Sequence, residues 1–480
     1  MSPDFEGRVR TTGKKLYSLI GGEKPSVFRK EFWAGRTLEW CMRDEGFKTE
    51  MFRFVDVFPY LNRPESVVRH MQEYFGRPGL QLPQALRFVL EHAAPESVAA
   101  RMMAMPITRN IESMARQFIA GADAREALPA LERLRARGIA FTVDLLGEAV
   151  VSEEEADRHL ERNFELLEVL DRAQRSWKPL GGAAGGLDWG WAPRVSLSVK
   201  PSALYSQFDP IAFEHSIDRA KERLRPLIRK VIRIGASLTL DMEHRDLKGL
   251  TLGLYRSLLE ESEFGDYPHT GIALQAYLKE SRADLETMIE WARARRRRFT
   301  LRLVKGAYWD SEVIWARQRN WPVPVFTRKH ATDASFEELT SLSLRNHDFV
   351  THACASHNLR SIAFTMETAS ELRVPAQRLE YQVLYGMGEP IRNALRKAGL
   401  PVRLYVPVGE LVPGMAYLVR RLLENTSNES FLTQAFHRGA SADEMLRSPA
   451  ELGSGPGPAA EEGPAGSAGP PSAQAGERAA

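Results

Sequence analysis

The chain has 480 residues, of which 43% are hydrophobic and 26% charged, as is typical of a soluble globular protein with two or three structural units. Its formal net charge of +3 is too small to indicate a nucleic-acid partner by itself. Two cysteines, Cys41 and Cys354, exclude a disulfide framework and a thiolate metal site, and they favour a reducing, cytoplasmic location.

The amino-terminal segment, MSPDFEGRVR, lacks the apolar core of a signal peptide. No uninterrupted apolar run is long enough to span a bilayer. We therefore expect any membrane contact to be peripheral, at the inner face of the membrane.

Residues 1–137 have a helical pattern. Apolar side chains recur at helical spacing between residues 55 and 71, and Pro64 stands where a helix can begin. Segment 111–137 continues the 3.6-residue period and stops at Gly138, a residue type that often follows helices. Because no catalytic constellation is evident here, we interpret residues 1–137 as a helical arm and support domain.

Beyond this arm, strand and helix patterns alternate. The predicted strands cover residues 140–146, 195–200, 237–243, 271–277, 300–306, 349–355, 379–385 and 402–408. The helical patterns between them include 153–171, 210–232, 251–259, 282–295 and 336–345. Eight strands alternating with helices predict an α/β fold, a (βα)8 TIM-type barrel over residues 138–447. An open doubly wound sheet is disfavoured because no GxGxxG motif follows the first strand.

Polar side chains follow nearly every predicted strand. In a TIM barrel the carboxyl ends of the strands carry the active site, so these side chains form the candidate site. In chain order they are Asp144, Glu148, Lys200, Asp241, Glu243, Gln275, Tyr277, Arg302, Lys305, Tyr308, Trp309, His352, His357, Asn358, Tyr385, Gly386, Glu389 and Tyr405. A single charge at a strand end is usually solvated, but charges at nearly all strand ends indicate a functional pocket.

The segment RLVKGAYWD (302–310) mixes a buried-strand pattern with two cations, a glycine and two aromatics. The cations suit a phosphate or carboxylate, the glycine lets a ligand approach the backbone, and the aromatics suit stacking on a ring. A later helical pattern carries Arg420 and Arg421, whose side chains suit bidentate carboxylate binding if that helix caps the pocket. A solvated helix face is the alternative for this pair.

Two other patterns suggest further functions. The arginine-rich run 293–298 suits a nucleic-acid or lipid patch, but cations also complement a helix carboxyl end, and we interpret this run as solvated. His352 and His357 with Asp241 and Glu243 suggest a metal-dependent hydrolase, yet the first strand has no histidine pair and the carboxylates face several cations. We expect neither a nucleic-acid partner nor a catalytic metal.

Seven motifs occur along the chain: FRFVDVFPYL (52–61), FTVDLLGEAV (141–150), RLVKGAYWD (302–310), FTRK (326–329), YGMGEP (385–390), RLYVPVG (403–409) and YLVRRLLEN (417–425). In this order they resemble the proline dehydrogenase domain of the proline utilization A family, over about residues 40–435. The resemblance implies an FAD enzyme that oxidises L-proline to Δ1-pyrroline-5-carboxylate. Hydride is expected to pass from proline C5 to flavin N5, and the electrons then to a quinone.

The resemblance also implies roles for individual residues. The expected substrate contacts are Lys200, Tyr308, Leu384, Tyr405, Arg420, Arg421 and Glu148. The expected flavin contacts are Asp241, Met242, Gln275, Arg302, Val304, Lys305, Gly306, Ala307, Trp309, Thr327, Arg328, Lys329, His357, Asn358 and Glu424. Arg302, Asp241 and Tyr405 are the expected catalytic residues. Glu148 is expected to gate the pocket by pairing with Arg420, and Met242 stands where we expect a small residue.

The chain departs from the bifunctional family after about residue 447. No aldehyde dehydrogenase module follows, and residues 448–480 form a Gly/Pro/Ala/Ser tail that we expect to be disordered, because it cannot build a core. The chain is therefore expected to be monofunctional or a fragment, with a separate pyrroline-5-carboxylate dehydrogenase as a partner. A barrel that binds flavin or proline as a sensor or assembly partner, without turnover, is the alternative function.

Overall fold

The computed structural model describes residues 4–21, 46, 50, 53–54, 57–58, 61, 63–77, 97, 116–147, 150–182, 185–410, 414 and 441–453. Four of the expected site residues lie outside the described residues, namely Glu148, Arg420, Arg421 and Glu424. The segment 454–480, most of the expected disordered tail, also lies outside them.

Eight short parallel strands close into a barrel in sequential order. They are β1 (Ala140–Leu145), β2 (Ser196–Val199), β3 (Ser237–Leu240), β4 (Thr270–Gln275), β5 (Phe299–Val304), β6 (Val350–Ala355), β7 (Leu379–Leu384) and β8 (Val402–Val408). The barrel closes where β8 pairs with β1 along its length, from Ala140 opposite Arg403 to Leu145 opposite Val408. This topology confirms the predicted (βα)8 fold, and each predicted strand matches an observed one.

Helices surround the barrel and precede it. They are α1 (Phe5–Ile20), α2 (Pro64–Phe75), α3 (Ala124–Ala136), α4 (Glu153–Gln174), α5 (Phe213–Arg233), α6 (Arg245–Leu259), α7 (Ser281–Arg295), α8 (Trp309–Gln318), α9 (Lys329–Arg345), α10 (Leu359–Glu371), α11 (Glu389–Lys397), α12 (Ala442–Met445) and α13 (Pro449–Gly453). The five predicted barrel helices are present, although α6 and α9 begin earlier than predicted. The pattern did not predict α8, α10 and α11.

The helix predicted over 111–137 is wrong in its extent. Residues 119–123 are not helical, and a new helix begins at Ala124. Asp123 caps it, because its side chain accepts hydrogen bonds of 2.8 and 2.9 Å from the backbone N–H groups of Arg125 and Glu126. Gly138 follows this helix with φ 75°, a conformation that favours glycine.

Alternate residues of each strand face opposite sides of the barrel wall. One set, including Phe141, Leu197 and Leu301, is buried in the main hydrophobic core between strands and helices. The other set faces the barrel interior and includes the hydroxyl residues Ser198, Thr239 and Thr300. These lie at one level of the barrel, because Thr239 pairs in register with Ser198 and Gly271, and Gly271 pairs with Thr300. The barrel interior is therefore unusually polar for a fold whose interior is commonly filled by branched apolar side chains.

The first helix packs against the outside of the barrel. The rings of Phe5 and Phe364 meet edge to face at 5.4 Å, which joins α1 to α10. The nearly buried guanidinium of Arg360 binds Glu337 at 2.8 Å and also contacts Glu6 of α1. This contact attaches the amino-terminal segment to the helices outside the barrel.

Candidate active site

Arg302 lies inside the barrel, where its side chain joins four strands. Its Nε donates to Oε1 of Gln382 at 2.8 Å, and its Nη1 donates to Oγ of Ser198 at 2.7 Å. The same Nη1 makes a short ion pair with Asp241. The guanidinium also lies 5.2 Å from the ring centre of Tyr405. With only 4% of its surface exposed, Arg302 is a fixed positive charge beneath the carboxyl ends of the strands.

Tyr405 and Lys200 complete a charged network above Arg302. The Tyr405 hydroxyl donates to Oδ2 of Asp241 at 2.6 Å, and Lys200 Nζ donates to the Tyr405 oxygen at 3.3 Å. Lys200 Nζ also binds Oδ2 of Asp144 at 2.7 Å and lies 3.7 Å from Asp241. Tyr405 is in the middle of β8, rather than at its end as predicted. The network nevertheless brings all three expected catalytic residues together.

Burial controls the protonation of this network. It raises the pKa of Asp144 to about 6, although the adjacent Lys200 ammonium acts in the opposite direction. Burial and the nearby carboxylates Asp144 and Asp241 raise the pKa of Tyr405 well above its usual value. Tyr405 therefore remains a neutral phenol, and it serves as the donor in its hydrogen bond to Asp241.

The turn after β5 requires a glycine. Gly306 has φ 139°, and a Cβ atom there would lie 2.5 Å from the ring of Tyr277. Gln275 supports the same turn, because its Oε1 faces the backbone N–H of Ala307 at 3.4 Å while its Nε2 donates to the Glu243 carbonyl at 2.8 Å. Gly306 and Ala307 are both exposed, so a ligand can approach this turn at the rim of the barrel.

Two lysines pair with one buried carboxylate at this rim. Lys305 makes a short ion pair with Asp333, and Lys329 binds the other oxygen of Asp333 at 2.8 Å. Burial lowers the pKa of Lys305, whereas the two lysines lower the pKa of Asp333 against the effect of its own burial. The neighbouring Thr327 and Arg328 are exposed. This rim carries net positive charge and suits a phosphate group.

His357 and Asn358 lie where β6 leads into α10. His357 Nε2 accepts a 3.0 Å hydrogen bond from the backbone N–H of Leu384, so the neutral ring carries its proton on Nδ1. Asn358 caps α10 by accepting from the Ser361 N–H at 3.0 Å. Gly388 approaches the imidazole closely, since a Cβ there would lie 2.8 Å from it. His357 is thereby fixed at the carboxyl end of β7.

The remaining expected contacts border the same end of the barrel. Val304 and Leu384 are the last residues of β5 and β7, and Met242 is buried directly after Asp241. The ring of Tyr308 packs 4.1 Å from that of His244, a residue that sequence reasoning missed. Trp309 is 40% exposed, and its Nε1 donates to the Phe326 carbonyl at 2.8 Å.

His352 was wrongly placed among the strand-end residues, whereas Glu243 does follow the carboxyl end of β3. His352 is fully buried, its Nδ1 lies 2.7 Å from Oγ of Ser343 in α9, and burial lowers its pKa to about 3. Glu243 accepts hydrogen bonds from the backbone and hydroxyl of Ser202. Neither belongs to the network around Arg302. Among the described residues, no group of three or more His, Cys, Asp or Glu side chains could hold a metal.

Sequence reasoning also missed three partners within the site: Ser198, Gln382 and Asp333. A signal existed for Gln382, because β7 alternates Glu380 and Gln382 with apolar residues, as expected for a polar barrel interior. A second signal was the spacing of Lys329 and Asp333, four residues apart on one helix face. Ser198 gave no signal beyond its place in a strand.

Comparison with known proteins relates both parts of the chain to one family. The family profile described as proline dehydrogenase matches residues 127–434, and the profile of the proline utilization A N-terminal domain matches residues 6–118. The structure of proline utilization A from Bdellovibrio bacteriovorus superposes with a TM-score of 0.84 and 42% identity, covering 94% of this chain and 44% of that one.

Two curated relatives differ in how much of their length is matched. The bifunctional protein PutA of Escherichia coli (strain K12) is 31% identical over 343 residues, which are 70% of this chain and 25% of that protein. Proline dehydrogenase 1 of Bacillus subtilis subsp. natto is 30% identical over 318 residues, which are 66% of this chain and 89% of that protein. The chain thus spans about a quarter of the bifunctional relatives and most of the shorter one.

Proposed function

The chain belongs to the proline dehydrogenase family, and we propose that it oxidises L-proline to Δ1-pyrroline-5-carboxylate, with FAD as cofactor and a quinone as electron acceptor. The observation that carries this proposal is the buried guanidinium of Arg302, held by Asp241, Ser198 and Gln382 beneath the carboxyl ends of the strands. A fixed cation in a site of low dielectric stabilises negative charge that arrives above it.

The donor set at the carboxyl ends fits FAD. The rim cations Lys305, Arg328 and Lys329 suit a diphosphate, and the backbone at Gly306 and Ala307 is open to a close ligand contact. When bound, FAD supplies the two-electron chemistry by accepting hydride from proline C5 at its N5. The proposed flavin contacts are those expected from the sequence, of which Glu424 lies outside the described residues.

Lys200 is proposed to hold the proline carboxylate together with Arg420 and Arg421, both outside the described residues. Its ammonium lies beside Asp144 and Tyr405, so it is already placed at the carboxyl end of the barrel. Charged hydrogen bonds of this kind fix the orientation of a small substrate and recover part of the entropic cost of bringing it to the flavin. Glu148 is proposed to gate the pocket by pairing with Arg420.

The walls of the proposed proline pocket are Tyr308, Leu384 and Tyr405. Tyr405 is fixed on both sides of its hydroxyl, by Asp241 and by Lys200, so its ring is held in one orientation. Asp241 links this ring to Arg302, because one of its oxygens pairs with the guanidinium and the other accepts from the Tyr405 hydroxyl. We therefore assign Asp241 the task of holding Arg302 and Tyr405 at a constant separation while substrate binds.

The domain boundaries and cellular context are also proposals. Residues 1–137 form the arm and support domain, 138–447 the catalytic barrel, and 448–480 a disordered tail. We place the enzyme in the cytoplasm, with any membrane contact peripheral and a separate pyrroline-5-carboxylate dehydrogenase consuming the product. No helix in the described part of the chain combines the length and apolarity needed to cross a membrane.

A barrel that binds flavin or proline as a sensor would share these contacts but would not turn over. The two functions separate in a steady-state assay with L-proline and a soluble quinone analogue, in which the product is trapped by 2-aminobenzaldehyde. If the protein is an enzyme, the amount of product should increase in proportion to the amount of quinone reduced, over many turnovers. A flavin-loaded protein that yields no product above the proline-free control would support the sensor instead.

A further inference from the structure

A second cavity opens at the opposite, amino-terminal end of the barrel. Its volume is about 770 Å³, large enough for a small metabolite. The first residues of several strands line it, including Ser196, Ser237 and Thr270. Its inner end is formed by Arg302, Gln382 and other polar side chains of the barrel interior. These residues separate the cavity from the proposed proline and flavin site.

The mouth of this cavity is crowded with arginines. Arg296, Arg297 and Arg298 precede β5, and Arg378 precedes β7. Three carboxylates also line the cavity, Asp266, Asp348 and Glu380, and Glu380 is paired with a further arginine, Arg403. The arginines belong mainly to the run that the sequence suggested was merely solvated, so the fold gathers this charge around an opening.

Two of these guanidinium groups have no protein partner in the part of the chain that the structure describes. Arg297 pairs with Asp266 at 2.6 Å, and Arg298 donates to the Asp348 carbonyl at 2.7 Å. Within the described residues, the side chains of Arg296 and Arg378 make neither a hydrogen bond nor an ion pair. Partial burial and the nearby Arg298 charge lower the pKa of Arg378, which shows that cations are crowded there. A bound anion would relieve this repulsion.

Hydroxyl groups also line the cavity, beside Arg302 and the Glu380–Arg403 ion pair. Ser196, Thr239, Thr300 and Thr351 contribute them from β2, β3, β5 and β6. Such groups both donate and accept hydrogen bonds, which suits a polyhydroxylated ligand. Positive charge at the mouth and hydroxyls below it define a ligand with an anionic end and an alcohol-rich body.

We propose that this amino-terminal cavity binds a small hydroxylated phosphate ester, with its phosphoryl group on Arg296 and Arg378 and its hydroxyl groups against the barrel threonines and serines. Arginine is favoured for this task because its planar fork binds phosphate oxygens in pairs. The residues proposed to hold the phosphoryl and hydroxyl groups are not among the proposed proline and flavin contacts, so this proposal is independent of the catalytic one.

The test is calorimetric titration of the flavin-loaded protein, in phosphate-free buffer of low ionic strength, with ribose 5-phosphate and with inorganic phosphate as probes. Flavin is added because it occupies the cationic rim at Lys305 and Lys329, the other place where a phosphate would bind. Arg378→Gln and Arg296→Gln remove the two unpaired cations. Arg293→Gln is the matched control, since it removes the same charge from the same arginine run outside the cavity lining.

We expect one saturable site for ribose 5-phosphate in the wild type and in Arg293→Gln. Losing one charged hydrogen bond should weaken binding by about tenfold or more in each of the other two variants. Inorganic phosphate should bind more weakly than ribose 5-phosphate, because it cannot reach the hydroxyl-lined interior. Neither variant removes a protein contact, and unchanged melting temperatures will confirm that both are folded.

Any of three results would overturn the proposal. The first is a wild type that shows no saturable binding of ribose 5-phosphate. The second is that Arg378→Gln and Arg296→Gln bind it as the wild type does, or that Arg293→Gln loses as much affinity as they do. The third is that inorganic phosphate binds as tightly as ribose 5-phosphate, which would mean that the interior hydroxyls do not contribute and that the cavity is not a phosphate-ester site.

Discussion

The Tyr405 hydroxyl donates a 2.6 Å hydrogen bond to Oδ2 of Asp241, across the barrel interior from β8 to the residue that follows β3. The other oxygen of Asp241 binds Arg302, which in turn lies 5.2 Å from the Tyr405 ring centre. The ring is therefore held by its edge through the hydroxyl and over its face by the guanidinium. As the proposed wall of the proline pocket, a tyrosine ring held in this way does not move aside for a larger substrate.

The first prediction concerns substrate choice. Because the rigid ring of Tyr405 is proposed to abut the C4 side of bound proline, wild type should prefer L-proline to trans-4-hydroxyproline by clash with the extra hydroxyl. Tyr405→Ser should lower kcat/KM for proline and raise relative kcat/KM for hydroxyproline. Tyr405→Phe is the control, because it keeps the ring and loses only the hydroxyl with its bonds to Asp241 and Lys200, and it should retain the preference. Equal wild-type activity on both substrates would show that Tyr405 is not this wall.

The second prediction concerns the buried cation. Arg302→Met removes a positive charge beside the proposed position of flavin N5 and should lower the flavin reduction potential. A lost charged hydrogen bond typically costs ~1.5–3 kcal/mol, equivalent to roughly 30–65 mV for a two-electron couple. Flavin reduction by proline should slow more than proline binding weakens. Arg302→Lys, which keeps the charge, should recover most of the potential. Potentiometry that shows no difference between wild type and Arg302→Met contradicts the assignment.

The third prediction is a pH dependence. Burial raises the pKa of Asp144 to about 6, so this carboxyl is neutral below that pH and ionised above it. When ionised, it neutralises the Lys200 ammonium 2.7 Å away, which then attracts the substrate carboxylate less. KM for proline should therefore rise as the pH increases from about 5 to 7, the range around this pKa. In Asp144→Asn this rise should disappear, and a rise of unchanged size would remove Asp144 as its source.

The fourth prediction concerns the proposed carboxylate clamp. Arg421→Met should raise KM for proline by roughly ten- to a hundredfold, because a charged hydrogen bond contributes ~1.5–3 kcal/mol. FAD content should be unchanged, since Arg421 is assigned to substrate and not to cofactor. Arg396→Met, a change of the same charge on the outer helix α11, serves as the control. If KM does not change in Arg421→Met, that residue does not contact the substrate.

The fold was predictable because each strand is a short apolar segment bounded by polar residues. All eight strands follow from that pattern, and their number with intervening helices determines a barrel. Helix α10 was missed because buried Ser361, Thr365 and Thr368 interrupt its apolar face. The start of α3 was misjudged because a side-chain cap at Asp123 broke an apparently continuous period.

The site was predictable in position but not in its connections. The barrel rule places strand-end residues together, which brought Arg302, Asp241 and Lys200 to one network. It does not say which way a side chain turns, so His352 was placed in the site although it is buried against Ser343. Partners such as Ser198 are not evident from the sequence, because they depend on which strands face each other across the barrel.

The most direct test of the central claim is the visible spectrum of the purified, FAD-reconstituted protein, titrated with L-proline in the absence of oxygen. We predict a flavin absorbance band that proline bleaches completely, at a rate that saturates with proline concentration, and that a quinone analogue then restores. A bound flavin whose spectrum proline leaves unchanged would contradict the account, as would a protein that retains no flavin after reconstitution.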